Sequence, residues 1–207
     1  MTVAIIDYGA GNLRSVQKAV ERTGYTPSIS DDARVIEGAE AVILPGVGAA
    51  ADTMRNLRAH NLEEPVRRVI AAGTPFLGVC MGLQALLTLS EEDGEQRCLG
   101  VIKGVVRHLP GGQKVPHMGW NEVRQVRAHP IFRNIPNCSH FYFVHSYYVE
   151  PEDAGVVIGE TEYGLSFPSV VARGNLVATQ FHPEKSGAIG LRIYANFLAG
   201  ALGSLGK

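Results

Sequence analysis

The sequence predicts one α/β domain with a mostly parallel central sheet flanked by helices and extended by antiparallel strands. Two observations carry that prediction. Between Val3 and Leu87, short β-branched runs alternate with helical periods, the pattern of right-handed βαβ units. From Val101 to Phe181 the runs are strand-like and separated by turns, before one last helical period. The length of 207 residues agrees with a single domain over 1–200 and a frayed, glycine-containing tail over 201–207.

Val3–Ile6 is an unbroken apolar run and reads as a buried strand, after which Leu13, Val16 and Val20 share one face of a helix ending near Gly24. Residues 26–29 form a weaker strand and Ala41–Leu44 another buried one. Met54 with Leu57, then Leu62, Val66, Val69 and Ile70, mark two helices. Phe76–Val79 is a fourth strand, followed by a helix carrying Leu83, Leu86 and Leu87. Residues 101–106, 122–126, 142–149, 156–160, 170–173 and 176–181 read as strands, with Arg173-Gly174-Asn175 as a hairpin turn. Ile189, Ile193, Phe197 and Leu198 define the closing helix.

Composition removes several function classes. Nineteen Lys and Arg against 20 Asp and Glu leave a net charge of −1, which argues against a nucleic-acid partner or charge-driven membrane attachment. No apolar run approaches the roughly 18 residues of a membrane span, and residues 1–9 lack the basic residues of a targeting segment. Three cysteines, Cys80, Cys98 and Cys138, cannot all pair, so a reduced, cytoplasmic chain is expected. Cys138, His140 and His145 match no zinc spacing, and no metal or cofactor is expected. Trp120, the single Trp, is expected in an exposed loop.

Asp7-Tyr8-Gly9-Ala10-Gly11-Asn12 lies between a strand and a helix, with Asp31 and Asp32 about 20 residues on. Its third glycine is missing and Arg14 stands where a small residue is needed, so it reads as a tight turn rather than a dinucleotide site. Gly78-Val79-Cys80-Met81-Gly82 is more specific. A buried strand precedes it, an apolar helix follows, and glycines flank the cysteine at −2 and +2, which is a nucleophile elbow with Cys in place of Ser. Glycine is needed there because a Cβ would crowd the neighbouring backbone, and the helix start favours a thiolate. Gln180-Phe181-His182-Pro183-Glu184 supplies a base and its orienter. Pro183 is expected to keep the chain extended so that His182 and Glu184 project to one side. The triad is then Cys80 as nucleophile, His182 as base and acid, and Glu184 fixing the tautomer. Leu44-Pro45-Gly46-Val47-Gly48 follows a strand, with Gly46 and Gly48 as hinges, and can aim the Val47 N–H at an oxyanion alongside that of Met81.

In this order and spacing, the three motifs resemble the class I, triad-type glutamine amidotransferases over almost the entire chain. Within that family, Lys114-Val115-Pro116-His117-Met118-Gly119-Trp120-Asn121-Glu122, Phe143-Val144-His145-Ser146-Tyr147 and the Asp7–Asn12 stretch are similar to the glutaminase subunits of imidazole glycerol phosphate synthase. The resemblance implies a flavodoxin-like fold and hydrolysis of glutamine to glutamate and ammonia through a thioester on Cys80. It implies that Gly48, Gln84, Ser146 and Tyr147 hold glutamine and that Asn12, Trp120 and Tyr142 face a partner. That partner would be a (β/α)₈ synthase subunit, joined in a heterodimer of histidine biosynthesis and receiving the ammonia directly. The chain is too short to hold such a barrel, which takes about 250 residues. A peptide flip between Gly46 and Val47 would let the loaded partner switch glutaminase activity on. Three other readings stand beside this one: a class I glutaminase serving another acceptor, a Cys-elbow hydrolase without channelling, and a non-catalytic flavodoxin-like binding module.

Overall fold

The structure is a computed structural model that describes residues 1–9, 11–92, 94–201 and 203. Its first half runs β1 (Val3–Ile6), α1 (Leu13–Glu21), β2 (Pro27–Ser30), α2 (Ala33–Glu37), β3 (Ala41–Leu44), α3 (Ala50–Ala59), α4 (Glu63–Ala71), β4 (Phe76–Val79) and α5 (Met81–Gln84). The second half runs β5 (Leu89–Ser90), β6 (Gln96–Arg97), β7 (Gly104–His108), β8 (His117–Gln125), β9 (Ser139–His145), β10 (Tyr147–Pro151), β11 (Val157–Glu162), β12 (Ser166–Arg173), β13 (Leu176–Thr179) and α6 (Gly187–Ala201). The expected tail over 201–207 falls, beyond Ala201 and Gly203, outside the described residues.

Among the described residues the main sheet has nine strands in the order β2-β1-β3-β4-β13-β12-β11-β8-β9. β2, β1, β3, β4 and β13 are parallel, and β12, β11, β8 and β9 continue antiparallel. A second sheet, β10-β7-β5-β6, covers one side. The parallel strands are buried on both faces, which explains their unbroken apolar runs. Val3, Ile5, Ile43 and Leu77 pack in one core with α1 and α6, through residues such as Val20 and Phe197. The alternate residues Ala4, Ile6, Val42 and Phe76 pack in a second core with Ile36, Leu57 and Val66 of α2, α3 and α4.

The structure corrects the sequence reading in five places. Residues 142–149 are two strands in two sheets: β9 pairs with β8, β10 pairs with β7, and the chain changes sheets at Ser146, whose carbonyl accepts from Leu109 N–H at 2.9 Å. Both halves alternate, so periodicity cannot reveal the break. The helix after Cys80 stops at Gln84 because the carbonyls of Ala85, Leu86 and Leu87 accept from Leu99, Ile102 and Gly100 instead of from the next helical turn. Trp120 lies on a strand rather than in a loop, since β8 buries His117 and exposes Met118 and Trp120, the reverse of the usual polarity. The strand expected over 176–181 ends at Thr179, and Pro183 opens a 3₁₀ turn (Pro183–Lys185) rather than extending the chain. Finally, Asp32 starts the unpredicted α2, its side chain accepting from Arg34 N–H as an N-cap. The Gly174 hairpin occurs as expected, with φ 59° at Gly174 and Arg173 paired with Leu176.

The glycines of the elbow are sterically required. A Cβ on Gly82 would stand 2.0 Å from the Leu44 carbonyl oxygen, and one on Gly78 would stand 2.8 Å from that of Gly82. Gly82→Ala should therefore destabilise the chain by about 3 kcal/mol, whereas Gly111→Ala, where a Cβ meets nothing within 4 Å, should change stability by less than about 0.5 kcal/mol. Urea denaturation of the two variants checks this, and equal midpoints would contradict the packing argument.

Candidate active site

The site lies at the carboxyl ends of the parallel strands, where open α/β sheets collect ligands. β4 delivers Cys80, whose backbone takes φ 52° and ψ −104° at the turn into α5. This strained conformation costs on the order of 1–3 kcal/mol and persists because the flanking backbone leaves no alternative. Cys80 N–H donates to the Thr179 carbonyl of β13 at 2.7 Å, tying the elbow to the neighbouring strand. The side chain is buried but opens into a cavity of about 360 Å³, also walled by Val47, Gly48, Gln84, Ser146 and Tyr147. That volume suits a small ligand.

His182 follows β13 and is clamped through its backbone. Its N–H donates to the Tyr142 carbonyl, its own carbonyl accepts from Ser186 Oγ, and Ser186 Oγ accepts from Tyr142 N–H, at 2.7–2.9 Å. His182 Nδ1 and Glu184 Oε1 are 2.8 Å apart, and both side chains are about 1% exposed. The 3₁₀ turn brings the two together in place of an extended segment. Among the described residues Nε2 has no nitrogen or oxygen partner, and with Nδ1 on Glu184 it is the ring nitrogen left for Cys80. Burial works to lower the pKa of His182, but the Cys80 charge and hydrogen bond, together with Glu184, outweigh it and push it up to about 10. The imidazole is thus held protonated beside the sulfur.

Glu184 has two further donors. Asn12 Nδ2 reaches Oε1 at 2.9 Å, and Tyr194 Oη reaches Oε2 at 3.4 Å. Asn12 adopts a left-handed conformation (φ 71°) before α1 and makes no capping bond with its side chain, which is spent on the carboxylate. The expected partner-facing residue thus stands directly behind the triad. The Asp7–Asn12 stretch serves the site elsewhere too. Tyr8 Oη donates to the Pro45 carbonyl at 2.9 Å, and a Cβ on Gly11 would meet the Val47 side chain at 3.4 Å.

Val47 and Gly48 line the cavity beside Met81. Met81 is the first residue of α5, so its N–H has no acceptor within the helix. Gly46 is required for space, since its Cβ would lie 2.5 Å from that of Met81 and 2.6 Å from the Tyr8 hydroxyl, while Gly48 has the positive φ, 104°. Gln84 donates through Nε2 to the Tyr147 carbonyl at 2.9 Å and to Gln180 Oε1 at 3.2 Å, which leaves its buried Oε1 as a free acceptor. Glu92, which no motif marks, also lines the cavity, its carboxylate accepting from Ala50 N–H at the start of α3. Lys185 is another cavity residue that the sequence reading passed over. Trp120 and Met118 are 56% and 60% exposed on β8. The Trp120 ring packs edge-on against Tyr142, over which Lys185 Nζ sits at 6.0 Å. An apolar patch therefore adjoins the cavity mouth.

His145 also lines the cavity, and His117 stands behind it with its Nδ1 3.0 Å from His145 Nε2. His117 and His145 are buried, and burial lowers their pKa to about 4 and about 3. Cys138 and His140 are exposed and apart from them, and among the described residues no cluster of three or more His, Cys, Asp or Glu is arranged to hold a metal. Likewise, no helix among the described residues is long and apolar enough to cross a membrane.

A cysteine on a strand–helix elbow, facing a histidine oriented by a buried carboxylate, defines a triad-type acyl-transfer site on a flavodoxin-like sheet. The chain belongs to the class I glutamine amidotransferase family, whose model matches residues 4–201. Its relatives include proteins named imidazole glycerol phosphate synthase subunit HisH. One, from Dehalococcoides mccartyi strain CBDB1, is 48% identical over 97% of this chain and 98% of its own. Another, from Moorella thermoacetica, is 53% identical over 94% and 93%. Solved structures share the fold at lower identity. A glutamine amidotransferase superimposes with TM-score 0.76 at 24% identity, covering 96% of this chain and 98% of that one. The structure titled PurLQS from Thermotoga maritima gives 0.75 at 18%, with the same coverage.

The neutral histidines make stability pH-dependent. The unfolded chain protonates them near 6.5, whereas the folded chain holds His145 neutral to about 3 and His117 to about 4. Below 6.5 the unfolded state therefore binds more protons, and stability falls with falling pH. His182 has the opposite shift, and its contribution is fully present below 6.5, so it leaves this window unchanged. Between pH 6.5 and 5, His145 alone should cost about 2 kcal/mol. Denaturant titrations at the two pH values measure it, and identical midpoints would show that these histidines titrate normally.

Proposed function

We propose that this chain is the glutaminase subunit of an imidazole glycerol phosphate synthase. The observation that carries the chemistry is the Cys80–His182–Glu184 constellation at the floor of a cavity sized for a small ligand. The near-full-length identity to the HisH subunits supports the pathway. The Cys80 sulfur attacks the side-chain amide carbon of glutamine. Val47 and Met81 N–H stabilise the oxyanion, and His182 gives its proton to the departing nitrogen. Ammonia leaves, and a water deprotonated by His182 then cleaves the thioester to glutamate. Glu184, braced by Asn12 and Tyr194, keeps His182 in one orientation throughout. Gly48, Gln84, Ser146 and Tyr147 would hold glutamine.

Ammonia released into water becomes unreactive ammonium, so the synthase subunit would dock over the cavity mouth and receive it directly. The exposed Met118–Trp120 patch, with Tyr142, supports that placement, and a (β/α)₈ partner forming a heterodimer is the form the family resemblance implies. Gly46, tightly enclosed between Met81 and Tyr8, would be the pivot through which docking adjusts the Val47 N–H.

Cys80→Ala should abolish glutamine hydrolysis, while Cys98→Ser and Cys138→Ser retain most of it; retained activity in Cys80→Ala would end the triad reading. The assay is ammonia release with the partner present. Trp120→Ala should weaken complex formation by about 1–4 kcal/mol with the fold intact. Titration calorimetry against the synthase subunit measures this, and unchanged affinity would move the interface elsewhere.

A further inference from the structure

The geometry points to Gln180 as a further catalytic residue, donating a hydrogen bond to the Cys80 sulfur and held in that orientation through Gln84 by the Tyr147 carbonyl, on which a second, directional chain from Asn121 through His117 and His145 also ends. Gln180 is fully buried, and its Nε2 lies 3.7 Å from Cys80 Sγ. An amide can present either end to a neighbour, and here the surroundings decide which. Gln180 Oε1 accepts from Gln84 Nε2 at 3.2 Å, so the N–H end must face the sulfur. Gln84 is fixed in turn, since its Nε2 also donates to the Tyr147 carbonyl at 2.9 Å and a carbonyl can only accept.

The same Tyr147 carbonyl fixes the histidines. His145 Nδ1 is 2.8 Å from it and must carry the proton, which leaves Nε2 as an acceptor. His117 Nδ1, 3.0 Å from that Nε2, must then donate, and its own Nε2 accepts from Asn121 Nδ2 at 3.2 Å. Each link permits one polarity, and the chain fails if either imidazole takes a second proton, because two N–H groups would then face each other. The His117 ring is held between Tyr163 and Phe143 at centroid distances of 3.9 and 5.0 Å, and burial keeps both rings neutral. The result is an N–H aimed at the nucleophile and set by neutral groups, leaving His182 as the protonated partner. A donor to sulfur favours the thiolate over the thiol. Gln84 is the positioning residue in this scheme, and the histidine chain shares its anchor, the Tyr147 carbonyl.

The inference rests on Cys80 being the nucleophile, and its test separates the two. The full chain is treated with iodoacetamide at pH 7 and pH 9.5, and alkylation of each cysteine is followed by peptide mass spectrometry. Around Cys80 the titratable groups are His182, with Glu184 behind it, Tyr8, and His145, Glu92 and Lys185 across the cavity. None of these is altered in Gln180→Met, which keeps the volume and removes the donor. Its Cys80 alkylation should fall about fivefold at pH 7 and less than twofold at pH 9.5, since alkali favours a thiolate with or without the donor. In complex with the synthase subunit, kcat for glutamine should fall with KM little changed. Equal losses at both pH values would mean altered access, and no loss would mean no hydrogen bond; either overturns the inference. If Gln180→Met fails to fold, Gln84→Met, which releases the Gln180 amide, should give the same pH-selective loss. Nitrogen-15 NMR of the parent should show His117 and His145 as neutral Nδ1–H tautomers at pH 6, and an imidazolium or an Nε2–H form at either would overturn the chain. Undiminished glutamine hydrolysis in the complex after complete alkylation of Cys80 would instead remove Cys80 as the nucleophile, and the inference with it.

Discussion

The contact on which the site depends is the approach of Gly82 to the carbonyl of Leu44, so close that a single methyl group would stand 2.0 Å from the oxygen. It sets how near the start of α5 comes to the end of β3, and so how sharply the chain must turn at Cys80. The strained dihedrals of that residue follow from it. Because the Pro45–Gly48 loop leaves β3 immediately after Leu44, the same contact sets how near Cys80 stands to the loop on which an oxyanion donor is proposed. Gly46, pressed against Met81 and Tyr8, completes the wedge. Two strand ends and one helix start are thereby locked into one unit.

Around that unit, four of the five parallel strands send a segment to the site off the same edge. β1 leads to Tyr8 and Asn12, β3 to Pro45–Gly48, β4 to Cys80, and β13 to Gln180, His182 and Glu184. Parallel packing guarantees that their carboxyl ends coincide. The antiparallel extension contributes something different, a wall. The chain crosses from one sheet to the other at Ser146, and the freed backbone at Tyr147 offers a carbonyl that both Gln84 and His145 use. A sheet change that interrupts regular pairing has become a polar anchor.

Burial acts on the site's histidines in the same sense, yet they end in opposite charge states. His182 faces a sulfur and a carboxylate, and their negative charge overrides desolvation. His117 and His145 face each other, an amide and the Tyr147 carbonyl; only that carbonyl favours a cation, at His145, and desolvation outweighs it. His182 is therefore held toward its charged form, and His117 and His145 toward their neutral forms.

Several features were legible in the residues alone. The buried strands Val3–Ile6, Ala41–Leu44 and Phe76–Val79 appear as unbroken apolar runs because both sheet faces are covered. The elbow and His182 with Glu184 are readable because local sterics and local hydrogen bonding demand particular residue types at short spacing. Other features depended on partners distant in the chain. Asn12 meets Glu184 across 172 positions and Gln180 meets Cys80 across 100, and no local pattern encodes such pairs. The break at Ser146, the early end of α5 and the placement of Trp120 on a strand were likewise decided by which strand or carbonyl arrived alongside. Short-range sterics and periodicity were written in the sequence, whereas the orientation of each buried polar group was set only when folding brought its one compatible partner within hydrogen-bonding distance.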